Sequence, residues 1–152
     1  MYEANYNPLK SIILIFLSEI LQKCLKEEVS DKTLFTFLES SLVNFHQSGI
    51  NNSFHLYFLI QLTDHLGFCP EKNKENHLYF DLINGYFCAD KPEHNMFIEP
   101  PLTSVFSALM EDGFGVISHK REITSKLLAY YRLHVEGFGE VKCLETLKTI
   151  LD

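Results

Sequence analysis

Four residues able to bind a soft metal, Cys69, His77, Cys88 and His94, fall within one short stretch, and together they would offer a zinc site. Their spacing argues against it. Seven, ten and five residues separate successive members, whereas zinc takes its ligands in close pairs, because two side chains from one tight turn reach the same ion. Half-buried thiols and surface histidines, with no metal bound, are the expected outcome. Other catalytic patterns are missing. His65 and Cys69 straddle the end of an expected helix, and His55 and His65 stand ten residues apart on it, facing different sides, with Asp64 as the one neighbouring carboxylate. Neither a Ser-His-Asp ordering, a glycine-rich phosphate loop nor a His-Glu-x-x-His motif occurs, and Gly113-Phe114-Gly115 is too short for a nucleotide loop. Catalysis is not expected, and a zinc-dependent enzyme is the weakest alternative.

A second constellation concerns anion binding. Arg121 and Arg132 are the only arginines in the chain, and with Ser125 and Leu128 they fall at offsets of four, seven and eleven, which places both on one helical face with Leu128 between them. Two guanidinium groups flanking apolar surface could hold a carboxylate or an acidic peptide by charge-assisted hydrogen bonds. The alternative is a solvated face with ordinary i,i+4 pairing. Charge distribution favours this region for an anion: residues 118–152 hold 6 basic and 5 acidic groups, net +1, against 7 basic and 15 acidic groups in residues 1–117, net −8. The total of −7 opposes simple binding of nucleic acid, which rests on phosphate neutralisation by clustered Lys and Arg.

Helices must position these residues. Asn7 caps and Pro8 opens a first one, with Leu9, Ile12, Ile13, Phe16, Leu17, Ile20, Leu21 and Leu25 at three- and four-residue spacing to about Glu28. Ser30 or Asp31 caps a second, whose Leu34, Phe35, Leu38, Leu42 and Phe45 form one stripe before Ser48-Gly49. Asn52 or Ser53 opens a third through His55, Leu59, Leu62 and Leu66 to Gly67. From Phe68 to Pro101 prolines and polar residues predict a loop insert. It contains one β-hairpin, Leu78–Ile83 and Tyr86–Cys88 about an Asn84-Gly85 type I′ turn. A short helix follows from Leu102 to Glu111, ended by Gly113. Ser118 caps a longer one through Ile123, Leu127, Leu128, Tyr131 and Val135 to Gly137. Val141, Leu144, Leu147 and Ile150 give the last. The expected architecture is mainly α: a single domain over 1–152, a bundle of about six helices with a hairpin insert at about 68–101.

Composition agrees. With 46% hydrophobic residues and 13 Phe in 152, the chain can bury a core without staples, so Cys24, Cys69, Cys88 and Cys143 read as reduced thiols. The apolar run Ile12–Leu17 is far below the roughly 20 residues of a membrane span. The first ten residues lack a basic lead, and a cytoplasmic location is expected.

The last third, Tyr130-Tyr131-Arg132-Leu133-His134, then Gly137-Phe138-Gly139 and Lys142-Cys143-Leu144-Glu145-Thr146-Leu147, resembles the end of the bacterial DNA repair protein RecO family. Phe16–Leu21, Phe37–Leu42, Asn52–Leu56, Leu66-Gly67-Phe68 and Tyr79–Leu82 with Gly85 are similar to successive blocks of its helical C-terminal region. The resemblance covers nearly the whole chain. It implies a mediator that anneals complementary strands and, with RecR, helps load the recombinase onto DNA coated by single-strand-binding protein. Family members begin with an oligonucleotide-binding barrel that carries much of the DNA binding; this chain opens directly on the helical part, so the barrel is expected to be absent.

Many relatives carry a four-cysteine zinc module built from two Cys-x-x-Cys pairs flanking a Phe-Asp-Leu hairpin. This sequence keeps the hairpin and loses the pairs: Cys88 stands where one such cysteine would fall, Lys91 occupies its partner's place, and no pair precedes Tyr79. No cofactor is therefore expected. The resemblance also implies that the helical domain receives the acidic, Phe-terminated tail of single-strand-binding protein, which needs an apolar pocket for the ring and cations for the carboxylates. Charge placement puts that site at Arg121, Leu128 and Arg132, with Lys142. The competing expectation is a purely structural scaffold for the barrel and RecR.

Overall fold

The computed structural model describes residues 7–25, 30–47, 53–111 and 117–151. Helix α1 spans Pro8–Cys24 and starts as its sequence dictates, with Asn7 Oδ1 accepting the Leu9 amide at 3.0 Å and Pro8 needing no partner. It ends at Leu25, whose backbone leaves the helical region, short of the expected Glu28, which lies outside the described residues. Helix α2, Lys32–Gln47, is capped by Asp31, which accepts the Leu34 amide at 3.0 Å. Its expected stripe is divided: Phe45 is buried, Leu34 and Leu38 are half-buried, and Phe35 and Leu42 face outward at 65% and 39% exposure. The Ser48-Gly49 break lies outside the described residues.

Helix α3, Phe54–Leu66, is the centre of the molecule, burying His55 to Ile60, Leu62 and Thr63. Ser53 stands at its N-cap but makes no side-chain capping bond; Asn52 lies outside the described residues. Gly67 closes it in the left-handed region at φ 90°, donating its amide to the Thr63 carbonyl at 2.9 Å.

The insert holds a three-stranded antiparallel sheet in the order β2-β1-β3, with β1 Tyr79–Asp81, β2 Tyr86–Cys88 and β3 Phe97–Ile98. The hairpin is where the sequence predicts it, but the type I′ turn is not. Asp81 pairs with Tyr86, which leaves Leu82, Ile83, Asn84 and Gly85 as a four-residue loop; Gly85 takes φ +75° while Asn84 does not enter the positive-φ region. The Asp81 carboxylate organises this loop instead, accepting the amides of Ile83 at 2.9 Å and Asn84 at 3.0 Å. Strand β3 was not expected, and it pairs Phe80 with Ile98 and Asp81 with Phe97.

Helix α4 is Leu102–Glu111, as predicted, after a cis Pro100-Pro101 bond; Gly113 lies outside the described residues. Helix α5 is Lys120–His134, and its first turn is entered through His119 at φ 55° rather than capped by Ser118. Helix α6 is only Leu144–Lys148, continued to Leu151 by three-residue spacings such as Leu151 N–H to the Lys148 carbonyl. The fold is thus mainly α, six helices and one small sheet among the described residues. None of those helices is long and apolar enough to cross a membrane. The core joins all the elements: Phe16 from α1, Leu59 from α3, Phe80 from the sheet, Phe106 from α4, and Tyr130 and Tyr131 from α5 are all at most 1% exposed.

Candidate functional site

The four candidate zinc ligands do not converge. The His77 ring meets the Phe87 carbonyl through Nδ1 at 3.2 Å and Glu75 through Nε2 at 3.1 Å, while His94 lies against Asp81 and the Cys69 thiol donates to the Pro70 carbonyl. Among the described residues no three His, Cys, Asp or Glu side chains form a metal cage. The residues present therefore do not fit a metal module of the kind that the resemblance brings to mind.

The histidines of α3 serve packing. His55 is wholly buried and bonds Thr124 Oγ1 through Nε2 at 2.8 Å; because that hydroxyl donates to the Lys120 carbonyl at 2.6 Å, Nε2 is the donor. His65 stacks on Phe37 with ring centres 4.5 Å apart. The thiols are not activated either. Burial pushes Cys69 and Cys88 above the ordinary thiol range, with Asp64 adding to the first and Asp81 and Asp90 to the second; for Cys143 a hydrogen bond to Glu19 is the main cause. All four cysteines are free.

The arginine face is split. Leu128 is 1% exposed and belongs to the core, so it offers no surface between the two guanidinium groups. The eleven residues from Arg121 to Arg132 separate their backbones by about 16 Å along α5. Arg121 donates Nε to the Leu151 carbonyl at 2.8 Å, fastening the chain end to the start of α5. Arg132 is 39% exposed and lies 3.5 Å from Glu140, a surface pair of little energetic weight. The arginines lie at the edge of the buried face of α5, where Leu128 shares their angular position yet belongs to the core, so helical offset alone does not tell a surface leucine from a buried one.

Lys142 is placed differently. It borders a cleft of about 450 Å³ formed by Leu14, Ile15, Ser18 and Gln22 of α1 with Cys143. Leu14, Ser18 and Gln22 continue into a neighbouring apolar hollow of about 440 Å³ walled by Leu21, Leu25 and Leu42. Leu14 and Ile15 are 41% and 57% exposed. The cleft is built by Glu19, whose carboxylate on α1 receives the amides of Lys142 and Cys143 and holds α6 against α1. Burial alone would raise that carboxyl; the two amides, the Cys143 thiol and Lys23 outweigh it and keep it below its ordinary value. Glu19 was missed in the sequence, where it reads as the polar side of an amphipathic helix.

The insert docks on α5 and α4 through side chains: Tyr130 donates its hydroxyl to the Phe68 carbonyl, His134 Nε2 reaches the Leu82 carbonyl at 2.9 Å, Lys126 the Phe97 carbonyl at 2.9 Å, and Thr103 the Leu78 carbonyl at 2.7 Å. His77 and Lys126 thereby occupy carbonyls on the outer strands, which closes these edges to further strand pairing.

With this arrangement in view, the sequence profile described as Recombination protein O C terminal matches residues 6–141. The chain belongs to the RecO family. It is 35% identical to the DNA repair protein RecO of Azobacteroides pseudotrichonymphae over 96% of its own length and 64% of that relative's. To the DNA repair protein RecO of Flavobacterium psychrophilum it is 33% identical, over 98% of this chain and 65% of the relative, and to that of Bacteroides fragilis 32%, over 97% and 65%. The chain thus spans slightly less than two thirds of the RecO proteins it matches. No solved structure matches it. The RecO resemblance read from the Tyr130–His134 and Lys142–Leu147 blocks is borne out.

Proposed function

We propose that this RecO chain acts in DNA repair as a partner-binding domain, receiving an acidic, Phe-terminated peptide of the kind that ends single-strand-binding protein, and assisting strand annealing and recombinase loading together with RecR. The observation that carries the reading is the α1 cleft, an exposed apolar cup of Leu14 and Ile15 with Lys142 among the residues that line it. An aromatic ring needs the former and carboxylates the latter. Arg132 supports it from nearby, since its contact Glu140 is two residues from Lys142. Leu128 backs α5 from within the core, and Arg121 serves the chain end.

Fluorescence anisotropy of a labelled acidic peptide ending in Phe, titrated at low and moderate salt beside a version without the Phe, tests this. The expected result is binding that needs the Phe, weakens with salt, and falls at least several-fold in Lys142→Glu and in Leu14→Ser. Binding unchanged in both variants would move the site. No binding at either salt would favour the second reading, a structural scaffold for a DNA-binding barrel and RecR, to which the outward apolar side chains Ile15, Phe35 and Val43 also lend themselves.

A further inference from the structure

The turn of the hairpin and the start of β3 meet at a single ring. The Nε2 atom of His94 is buried and lies 3.1 Å from Asp81 Oδ2, without a well-aligned hydrogen bond. Its Nδ1 atom is 3.0 Å from the amide nitrogen of Met96. A backbone N–H only donates, so Nδ1 must present its lone pair and the ring is neutral with its proton on Nε2. Met96 in turn receives the Leu82 amide on its carbonyl at 3.0 Å, and Leu82 follows Asp81 directly. One ring therefore touches the carboxylate that organises the 82–85 loop and the strand that pairs beside it.

Adding a proton to this ring has opposite effects at its two nitrogens. At Nε2 the imidazolium gains an attraction to the buried carboxylate. At Nδ1 the new N–H points at the Met96 N–H, and an acceptor is lost. We propose that His94 is a proton-operated latch: neutral, it ties Met96 and the entry to β3 to the hairpin turn; protonated, it stays with Asp81 and lets Met96 go.

The surrounding charges are consistent with this direction. Asp81 stands at the end of β1, the Cys88 thiol at the end of β2 with Asp90 two residues beyond, and Glu93 is adjacent in the chain. Lys91 lies over the Phe97 ring, and Lys126 from α5 and His134 at its end hold the Phe97 and Leu82 carbonyls. Burial alone would raise the Asp81 carboxyl, but Asn84, through its side chain and amide, and His94 hold it below the ordinary range. Because Lys126, His134 and Thr103 anchor the insert elsewhere, release is confined to the segment around Met96.

The test is NMR on the full chain between pH 8 and pH 5, following the His94 ring signals and the exchange protection of the Met96, Ile83 and Asn84 amides. The expected result is that Met96 protection, corrected for intrinsic exchange, falls by about tenfold with the midpoint of the His94 titration, while Ile83 and Asn84 keep theirs. His94→Gln, which cannot titrate, leaves Met96 protection flat across the range. Constant Met96 protection in the parent chain, or a persisting pH-dependent loss in a folded His94→Gln, would each overturn the latch.

Discussion

Glu19 Oε1 accepts the amide of Cys143 at 2.9 Å, and Oε2 accepts that of Lys142 at 2.7 Å, so one carboxylate on the first helix holds the entrance to the last. The carboxylate takes this place because the segment offers no capping side chain of its own: Cys143 stands at the N-cap of α6 and makes no capping bond. Lys23 lies 3.9 Å from the same carboxylate, one turn along α1.

Replacing Glu19 by Gln keeps the shape, removes the charge and leaves one acceptor for two amides. Thermal denaturation at pH 7 is expected to show a loss of about 1–2 kcal/mol, or roughly 3–6 °C in Tm. The folded carboxyl titrates below its ordinary value of 4.5, so its stabilisation is present above that value and is lost as pH falls through the lower folded one. The gap between parent and Glu19→Gln should close under strong acid. An equal gap at pH 7 and below the folded value would show that the charge is not what matters.

How much of this was legible in sequence depends on where each signal sits. Asn7-Pro8, Asp31 and Gly67 are local: a side chain or a missing Cβ settles the backbone of its own neighbours, and the helix ends they mark are found where expected. Ser118 misled because His119 takes a left-handed backbone, which no capping rule anticipates for a histidine. Asn84-Gly85 misled because Asp81, three residues before Asn84, already satisfies the loop amides and makes a four-residue turn possible. Strand β3 has two residues and exists only by pairing with β1, so no periodicity could announce it. For the candidate site, charge placement singled out Lys142, while the apolar cup that it borders comes from α1, more than a hundred positions away and out of reach of any local pattern. The RecO family itself was legible, because ordered blocks of weak matches along the chain add up where no single one suffices.

Tyr130 and Tyr131 make an alkaline prediction. Both phenols are buried; Tyr130 donates to the Phe68 carbonyl and Tyr131 to the Leu59 carbonyl at 2.6 Å. Burial pushes both well above the ordinary phenol value of 10, with Cys69 adding to Tyr130 and Cys24 to Tyr131. A raised phenol contributes stability that is present below the unfolded value and is lost as pH rises toward the folded one. Ultraviolet difference titration is therefore expected to leave Tyr130 and Tyr131 un-ionised past pH 10 until the chain unfolds, with both ionising in the same step as the loss of far-ultraviolet helicity. Tyr131→Phe should remove one late phenol. Seven tyrosines titrating together near 10 in a folded chain would contradict the buried placement.

The insert backbone also approaches α5 closely at Gly85, which sits at φ +75° with a side-chain position 3.1 Å from the Tyr130 hydroxyl and 3.9 Å from its ring carbons. Gly85→Ala meets two separate costs there, the left-handed backbone and the hydroxyl, and is expected to destabilise by about 1–3 kcal/mol. Tyr130→Phe removes the hydroxyl, leaving the Phe68 carbonyl without its donor at a cost of about 1 kcal/mol. In the double variant the new methyl meets only ring carbons at ordinary contact distance, so the steric part of the first cost disappears while the backbone part stays. Urea denaturation of the four proteins is expected to give a double variant more stable than the sum of the single losses by about 1 kcal/mol. Additive losses would mean that φ alone carries the glycine's role, and that the insert rests on Tyr130 through its ring rather than its hydroxyl.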